Sequence, residues 1–147
     1  YFKCALVRNP WARLYSTWLY APKDTRKFEN SPLKFLNRFS DFEDFALNGL
    51  SKELIRDHYF FASQLSYLGI GSRLVMDLIG KVEELPEFVG QLYQRGYLKV
   101  PELPHLNRST PGKSLQDVYS PAMIRKVEQL YADDINAFGY DYPKGIA

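Results

Sequence analysis

The chain has 147 residues, 46% of them hydrophobic and 24% charged, with a formal net charge of +2. That length suits one packed domain, and that composition excludes a disordered chain. No apolar run reaches the length of a membrane span, and one cysteine with two well-separated histidines excludes an internal disulfide and a zinc cluster.

Residues 2 to 7 are short, apolar and end at a charge, which predicts a buried first strand with Cys4 as a small core residue. Asn9 then serves as a cap and Pro10 as the first helical position. Trp11, Leu14, Tyr15 and Trp18 recur at helical spacing, so a helix is predicted over 10–20. Residues 21–39 hold Pro22, Pro32 and many charges and predict a long loop, with a helical turn near 33–38. Ser40 and Glu43 fit a capping box for a helix over 41–48, stopped by Gly49. Ser51 caps another helix through 57. Periodicity leaves the stretch after it, H-Y-F-F-A-S-Q-L-S-Y-L, open between helix and turn.

Residues 75–82 predict a second strand. Pro86 and Gly96 bracket a helix over 86–95. Residues 97–119 are rich in loop formers. Ser120 and Pro121 start the last helix, whose buried stripe is Ile124, Val127, Tyr131, Ile135 and Phe138, and Gly139 ends it. No repeat or linker divides the chain. Strands alternating with helices predict one helix-rich α/β domain, residues 1–147, built on a parallel sheet.

Charge is unevenly spread. Residues 1–40 carry eight Lys/Arg against two Asp/Glu, and residues 41–60 carry two against five. The basic first segment points to an anionic ligand or to a solvated cationic face. The stretch V-R-N-P-W-A-R-L-Y-S favours the ligand. A strand running through a tight turn into a helix aims the helix's free N–H groups at the turn, where they can hold a phosphate. Arg8 at the turn adds a forked cation, and Arg13 and Ser16 share one helix face beside it. Read as structure alone, the same residues make a capped corner with surface arginines. Neither G-x-x-x-x-G-K-[ST] nor G-x-G-x-x-G occurs, so this is not a Walker loop or a dinucleotide fingerprint.

The segment R-N-P-W-A-R-L-Y-S resembles the 3′-phosphate-binding segment of the PAPS-dependent sulfotransferases, in particular the family 2-like carbohydrate sulfotransferase group and its bacterial relatives. H-Y-F-F-A-S-Q, D-L-I-G-K-V-E-E-L, L-P-H-L-N-R-S and Y-A-D-D-I-N-A-F-G-Y resemble further blocks of that group in the same order. Together they span residues 2 to 142. The resemblance implies a P-loop-NTPase-like sulfotransferase fold and transfer of a sulfuryl group from PAPS (adenosine 3′-phosphate 5′-phosphosulfate) to a carbohydrate hydroxyl, leaving adenosine 3′,5′-bisphosphate, without a metal. It implies that Arg8 and Ser16 bind the 3′-phosphate beside Asn9, while Arg13 either holds the phosphate or buttresses the helix. Arg108 and Lys113, in a loop from His105 that could cover the nucleotide, either reach an anion or are solvated.

His58 matches a family histidine and is the candidate general base, or else a structural residue. Glu83 is expected to hydrogen-bond loop backbone. Gln64 either orients an acceptor or closes the core. Lys23, Arg26, Lys27, Lys34 and Arg38, with Tyr20 and Phe28, suit an anionic glycan acceptor. The family also implies an earlier strand-loop-helix with a Gly/Thr/Lys-type loop for the 5′-phosphosulfate. Nothing like it occurs here, and the chain opens on a strand-like run at Tyr1. It therefore reads as an N-terminally truncated, C-terminal portion of the fold, slow or inactive alone.

Two other readings stand beside this one. A non-catalytic module could keep the phosphate corner and recognise a nucleotide or a sulfated glycan. A P-loop kinase relative is opposed by the missing Walker loop. No nucleic-acid partner is expected, and the low cysteine count with no anchor segment favours a bacterial cytoplasmic setting over a Golgi lumen.

Overall fold

The structure is a computed structural model that describes residues 1–71, 73–101 and 113–143. Two strands, β1 (Cys4–Val7) and β4 (Leu78–Lys81), pair in parallel, with Cys4 opposite Leu78 and Val7 opposite Lys81. Each strand runs out at the same end of the sheet. The first enters α1 (Pro10–Lys27) and the second passes a 3₁₀ turn (Val82–Glu84) into α5 (Leu85–Gln94). Parallel neighbours require a long crossover. Here it holds α1, a 3₁₀ helix (Lys34–Arg38), α2 (Phe42–Asp44), α3 (Lys52–Asp57), α4 (Gln64–Leu68) and a small antiparallel hairpin, β2 (Gly69–Ile70) with β3 (Arg73–Leu74). The last elements are α6 (Leu115–Val118), α7 (Pro121–Leu130) and α8 (Ala132–Phe138). The domain is thus α/β and helix-rich, with a small parallel sheet.

Several expected boundaries move. The first strand is largely exposed: only Val7 is buried, and Cys4 is exposed and not a core residue. Helix α1 runs to Lys27 instead of stopping near residue 20, with Pro22 inside it. Tertiary anchoring overrides the proline. Ala21 and Asp24 are buried on the core side, and Asp24 accepts hydrogen bonds from Ser31 Oγ (2.5 Å) and Tyr20 Oη (3.0 Å). Asp41, not Ser40, caps α2, taking the Asp44 amide at 2.8 Å, and the helix widens at once into a π turn over Phe45–Gly49. Ser51 caps α3 as its spacing predicts, accepting from Leu54 N at 3.1 Å. The second strand shortens to 78–81: residues 75–77 only link it to the hairpin, and Val82 already belongs to the 3₁₀ turn. The last helix breaks at Tyr131, whose φ and ψ of −108° and 25° end α7 before α8 begins, and Gly139 closes α8 at φ 64°.

The core lies between α1, the π turn and α7. Trp11, Leu14, Phe45, Phe61, Met123 and Val127 are buried there. Buried aromatic side chains stabilise such a core while their polar ends find partners. Trp11 Nε1 donates to Ile124 O (3.2 Å), Tyr119 Oη to Trp11 O (2.8 Å) and Tyr131 Oη to Phe61 O (2.7 Å). The first two bonds tie α1 to the C-terminal elements, and the third ties the end of α7 to the turn after α3. On the other side, α5 packs tightly on β4: a Cβ at Gly80 would lie 2.2 Å from the Phe88 ring, so only glycine fits.

Candidate anion-binding site

Because Val7 pairs with Lys81, the turns that follow the two strands lie side by side at the carboxyl end of the sheet. That end is where open parallel sheets place ligands. The strand-to-helix corner, Arg8–Asn9, is held from both flanks. Arg8 N donates to Gln64 Oε1 and Gln64 Nε2 donates to Arg8 O, both at 2.8 Å. The Gln64 amide thus takes the place of a third strand for one residue. On the other flank, Asn9 N donates to Glu83 Oε1 at 2.7 Å, and Tyr140 Oη donates to Glu83 Oε2 at 3.0 Å. Glu83 therefore bonds loop backbone, as its sequence position suggests. Gln64 closes the corner.

The helix N-terminus is not open. Trp11 N and Ala12 N donate to Asn9 Oδ1 at 3.1 and 3.3 Å, Arg13 N donates to Asn9 O at 2.8 Å, and Pro10 has no N–H. The Glu83 carboxylate sits against the same positive helix end and compensates its dipole. The expectation that free helix N–H groups cradle a phosphate is therefore corrected: the fold has already filled that position with its own side chains. An external anion must bind through side chains beside the helix.

The sequence-predicted residues divide on that criterion. Asn9 is buried, and its Nδ2 donates to Asp141 O at 3.0 Å, so its side chain serves as a cap and a tie to the C-terminal segment. Arg13 donates to Ala62 O (2.6 Å) and Phe60 O (3.2 Å). Of its two readings, this geometry matches the buttress. Arg8 and Ser16 differ. Both are half-buried, and neither side chain has a hydrogen-bond or ion-pair partner among the described residues. Ser16 lies two helical turns beyond the cap, about 10 Å along the axis at 1.5 Å per residue. Ala12 shares its face four residues back, so the surface between Arg8 and Ser16 is low.

Lys113 is exposed just before α6, with no hydrogen bond or ion pair among the described residues. Arg108 and the loop from His105 to residue 112 lie outside the described residues.

His58 lies in the turn after α3. Its Nε2 donates to Pro32 O at 2.9 Å, which fixes the tautomer, and its Nδ1 is buried without a partner. Phe35, Tyr59, Phe60 and Phe61 pack around the ring. With one nitrogen engaged and the other buried, His58 ties the loop at Pro32 to the turn after α3, and of its two readings this geometry matches the structural one. No group of three or more potential metal ligands occurs among the described residues, and no helix there is long and apolar enough to cross a membrane.

The family model described as "Sulfotransferase family" matches residues 1–141. The chain belongs to the sulfotransferase family. No curated protein and no solved structure matches it.

One sulfotransferase-domain residue that supports the corner was not singled out in the sequence. Asp134 on α8 is completely buried and accepts from Ser63 Oγ (2.5 Å), Gln64 N (2.8 Å) and Leu65 N (2.9 Å). It caps α4 from a different helix and so sets the position from which Gln64 reaches Arg8. A signal was present. Asp134 follows Tyr131 by three residues and precedes Phe138 by four, placing a carboxylate on the buried stripe. A charge at a core position is the kind of anomaly that marks a structural or functional demand.

Proposed function

We propose that this sulfotransferase-family domain, on a P-loop-like sulfotransferase fold, moves a sulfuryl group from PAPS to a hydroxyl of a carbohydrate acceptor. Arg8 and Ser16 hold the donor's 3′-phosphate in this reading. The observation that carries it is the contrast at the corner. Backbone on both sides of Arg8 is fixed by Gln64 and Glu83, while the guanidinium and the Ser16 hydroxyl are left without protein partners among the described residues. A fixed mount with uncommitted donors is what preorganised anion binding requires.

In the transfer, the acceptor oxygen forms a bond to sulfur as the bond from sulfur to the 5′-phosphate oxygen breaks. The acceptor proton passes to a base, and adenosine 3′,5′-bisphosphate departs. The protein's contribution to such a transfer is positioning and charge stabilisation. Arg8 and Ser16 supply the positioning half by anchoring the nucleotide away from the reacting sulfur. Lys113 and Arg108 are proposed as further donors to the bound nucleotide. The geometry of Asn9 and Arg13 supports mounting roles at this site.

The test is transfer of labelled sulfate from PAPS to a panel of oligosaccharides. Labelled sugar supports the proposal, and its yield should fall in Arg8→Ala. Binding of adenosine 3′,5′-bisphosphate without transfer supports the non-catalytic nucleotide-binding alternative. Absence of both transfer and nucleotide binding contradicts the site itself.

A further inference from the structure

The corner uses the first two turns of α1. Beyond them, the helix carries a second feature. Tyr20 follows Ser16 by four residues, on the same face and one turn away, about 6 Å. Around it gather the half-buried ring of Phe60 and the exposed rings of Tyr59 and Tyr67. The Tyr20 and Phe60 ring centroids are 6.3 Å apart, those of Phe60 and Tyr59 are 4.5 Å apart, and Tyr67 Oη donates to Tyr59 O at 3.3 Å. Tyr59 is 59% exposed and Phe28 49%. Both line a cavity of about 540 Å³, together with Lys27, Glu29 and Asn30. Soluble domains seldom leave rings clustered in this way without a partner.

The rim is braced. Asp24 accepts from Tyr20 and Ser31, Leu33 N donates to Ser31 Oγ at 3.1 Å, and His58 Nε2 donates to Pro32 O. Rings held in advance on a tied loop lose little freedom on binding. Charge adds direction. Of the two acidic residues in 21–39, Asp24 is buried and engaged, which leaves Glu29 against Lys23, Arg26, Lys27, Lys34 and Arg38.

We propose that the cavity between Phe28 and Tyr59 is a binding site for an acidic oligosaccharide, with a pyranose face stacked on an exposed ring and its hydroxyls and carboxylate met by Asn30 and Lys27. This rests on the carbohydrate-acceptor reading above and gives that acceptor a location. A sugar has one apolar C–H face and a polar rim, which matches rings set among amide, ammonium and carboxylate groups. A lipid would call for a continuous apolar wall. The α1 residues that line the cavity, Asp24 and Lys27, lie two to three turns beyond Ser16, about 12–17 Å along the axis, so donor and acceptor would share a helix as their common mount.

Calorimetric titration of a uronate-containing chondroitin tetrasaccharide into the chain tests this, with neutral cellotetraose and oligothymidylate as comparison ligands. Binding should weaken about tenfold in Tyr59→Ala and again in Phe28→Ala, and Tyr59→Trp should restore it. Adenosine 3′,5′-bisphosphate affinity should be unchanged in all three. Unchanged tetrasaccharide binding in both alanine variants overturns the site, as does tighter binding of oligothymidylate than of the sugar. Cellotetraose binding equally well overturns the acidic preference. Sugar binding that persists in a chain unable to bind the nucleotide leaves this site standing and removes the donor reading. Nucleotide binding without sugar binding does the reverse.

Discussion

The Gln64 amide meets both backbone groups of Arg8, and a pair of substitutions can resolve each half of that contact. Gln64→Ala removes an acceptor from Arg8 N–H and a donor from Arg8 C=O, each at 2.8 Å and part-buried. Each neutral hydrogen bond contributes about 1 kcal/mol net, and somewhat more when its partner is left unpaired, so the expected loss is about 2–3 kcal/mol. For a chain of this size that lowers Tm by about 4–12 °C. Gln64→Glu keeps the acceptor but sets a carboxylate oxygen against the Arg8 carbonyl. At pH 7 it should be at least as destabilised as the alanine variant.

Protonation returns the lost donor, so the introduced carboxyl has a folded pKa above its unfolded value of about 4.3. A group raised in this way contributes stability below the unfolded pKa and loses it as pH rises through the folded pKa. The deficit of Gln64→Glu relative to wild type should therefore shrink as pH falls from 7 toward 4, while that of Gln64→Ala stays nearly constant. Urea melts followed by circular dichroism at several pH values, wild type in parallel, provide the comparison. A Gln64→Glu variant as stable as wild type at pH 7, with no pH dependence of its own, would refute the paired contact.

Other predictions follow from burial and close approach. Asp134→Ala leaves two amides and a hydroxyl without their acceptor and should lose about 3–5 kcal/mol, with Asp134→Asn losing less; equal losses in urea melts would speak against the three-donor arrangement. Gly80→Ala forces the Phe88 ring to move and should lose about 1–3 kcal/mol, whereas Gly90→Ala, which has open space, should be neutral or better. Burial pushes the phenols of Tyr119, Tyr131 and Tyr140 above the ordinary tyrosine range, Tyr140 further through its bond to Glu83. Their raised folded pKa values mean that stability is retained below about pH 10 and lost as pH rises beyond it, by up to about 1.4 kcal/mol per pH unit for each fully buried phenol. A urea midpoint that stays flat to pH 11 would contradict this.

The parts of the fold set by local chemistry could be read from the chain. Asn9 with Pro10, Ser51 and Ser120 start helices where their spacing says they do, and Gly139 ends one. What failed depended on distant residues. Pro22 sits inside α1 because Asp24 is anchored by Ser31, and the exposed Cys4 follows from how little covers β1. The apolar run around Cys4 was indistinguishable from a buried strand. At the site, R-N-P-W-A-R-L-Y-S located the corner but not its occupancy. Glu83 and Asp141 lie 74 and 132 residues from Asn9, and no local pattern announces that they engage its backbone and side chain. The same limit applies to His58, whose Pro32 partner lies 26 residues away.

The central claim is that Arg8 and Ser16 grip a ribose 3′-phosphate, and a nucleotide pair isolates that phosphate. Calorimetry of adenosine 3′,5′-bisphosphate against adenosine 5′-phosphate, in wild type and in Arg8→Ala, measures the contribution of the 3′ group and its dependence on the guanidinium. Charge-assisted hydrogen bonds contribute about 1.5–3 kcal/mol, so wild type should prefer the bisphosphate by about ten- to a hundredfold. That preference should largely disappear in Arg8→Ala and shrink in Ser16→Ala. Equal affinity for the two nucleotides in wild type, or a preference that survives Arg8→Ala intact, would contradict the account.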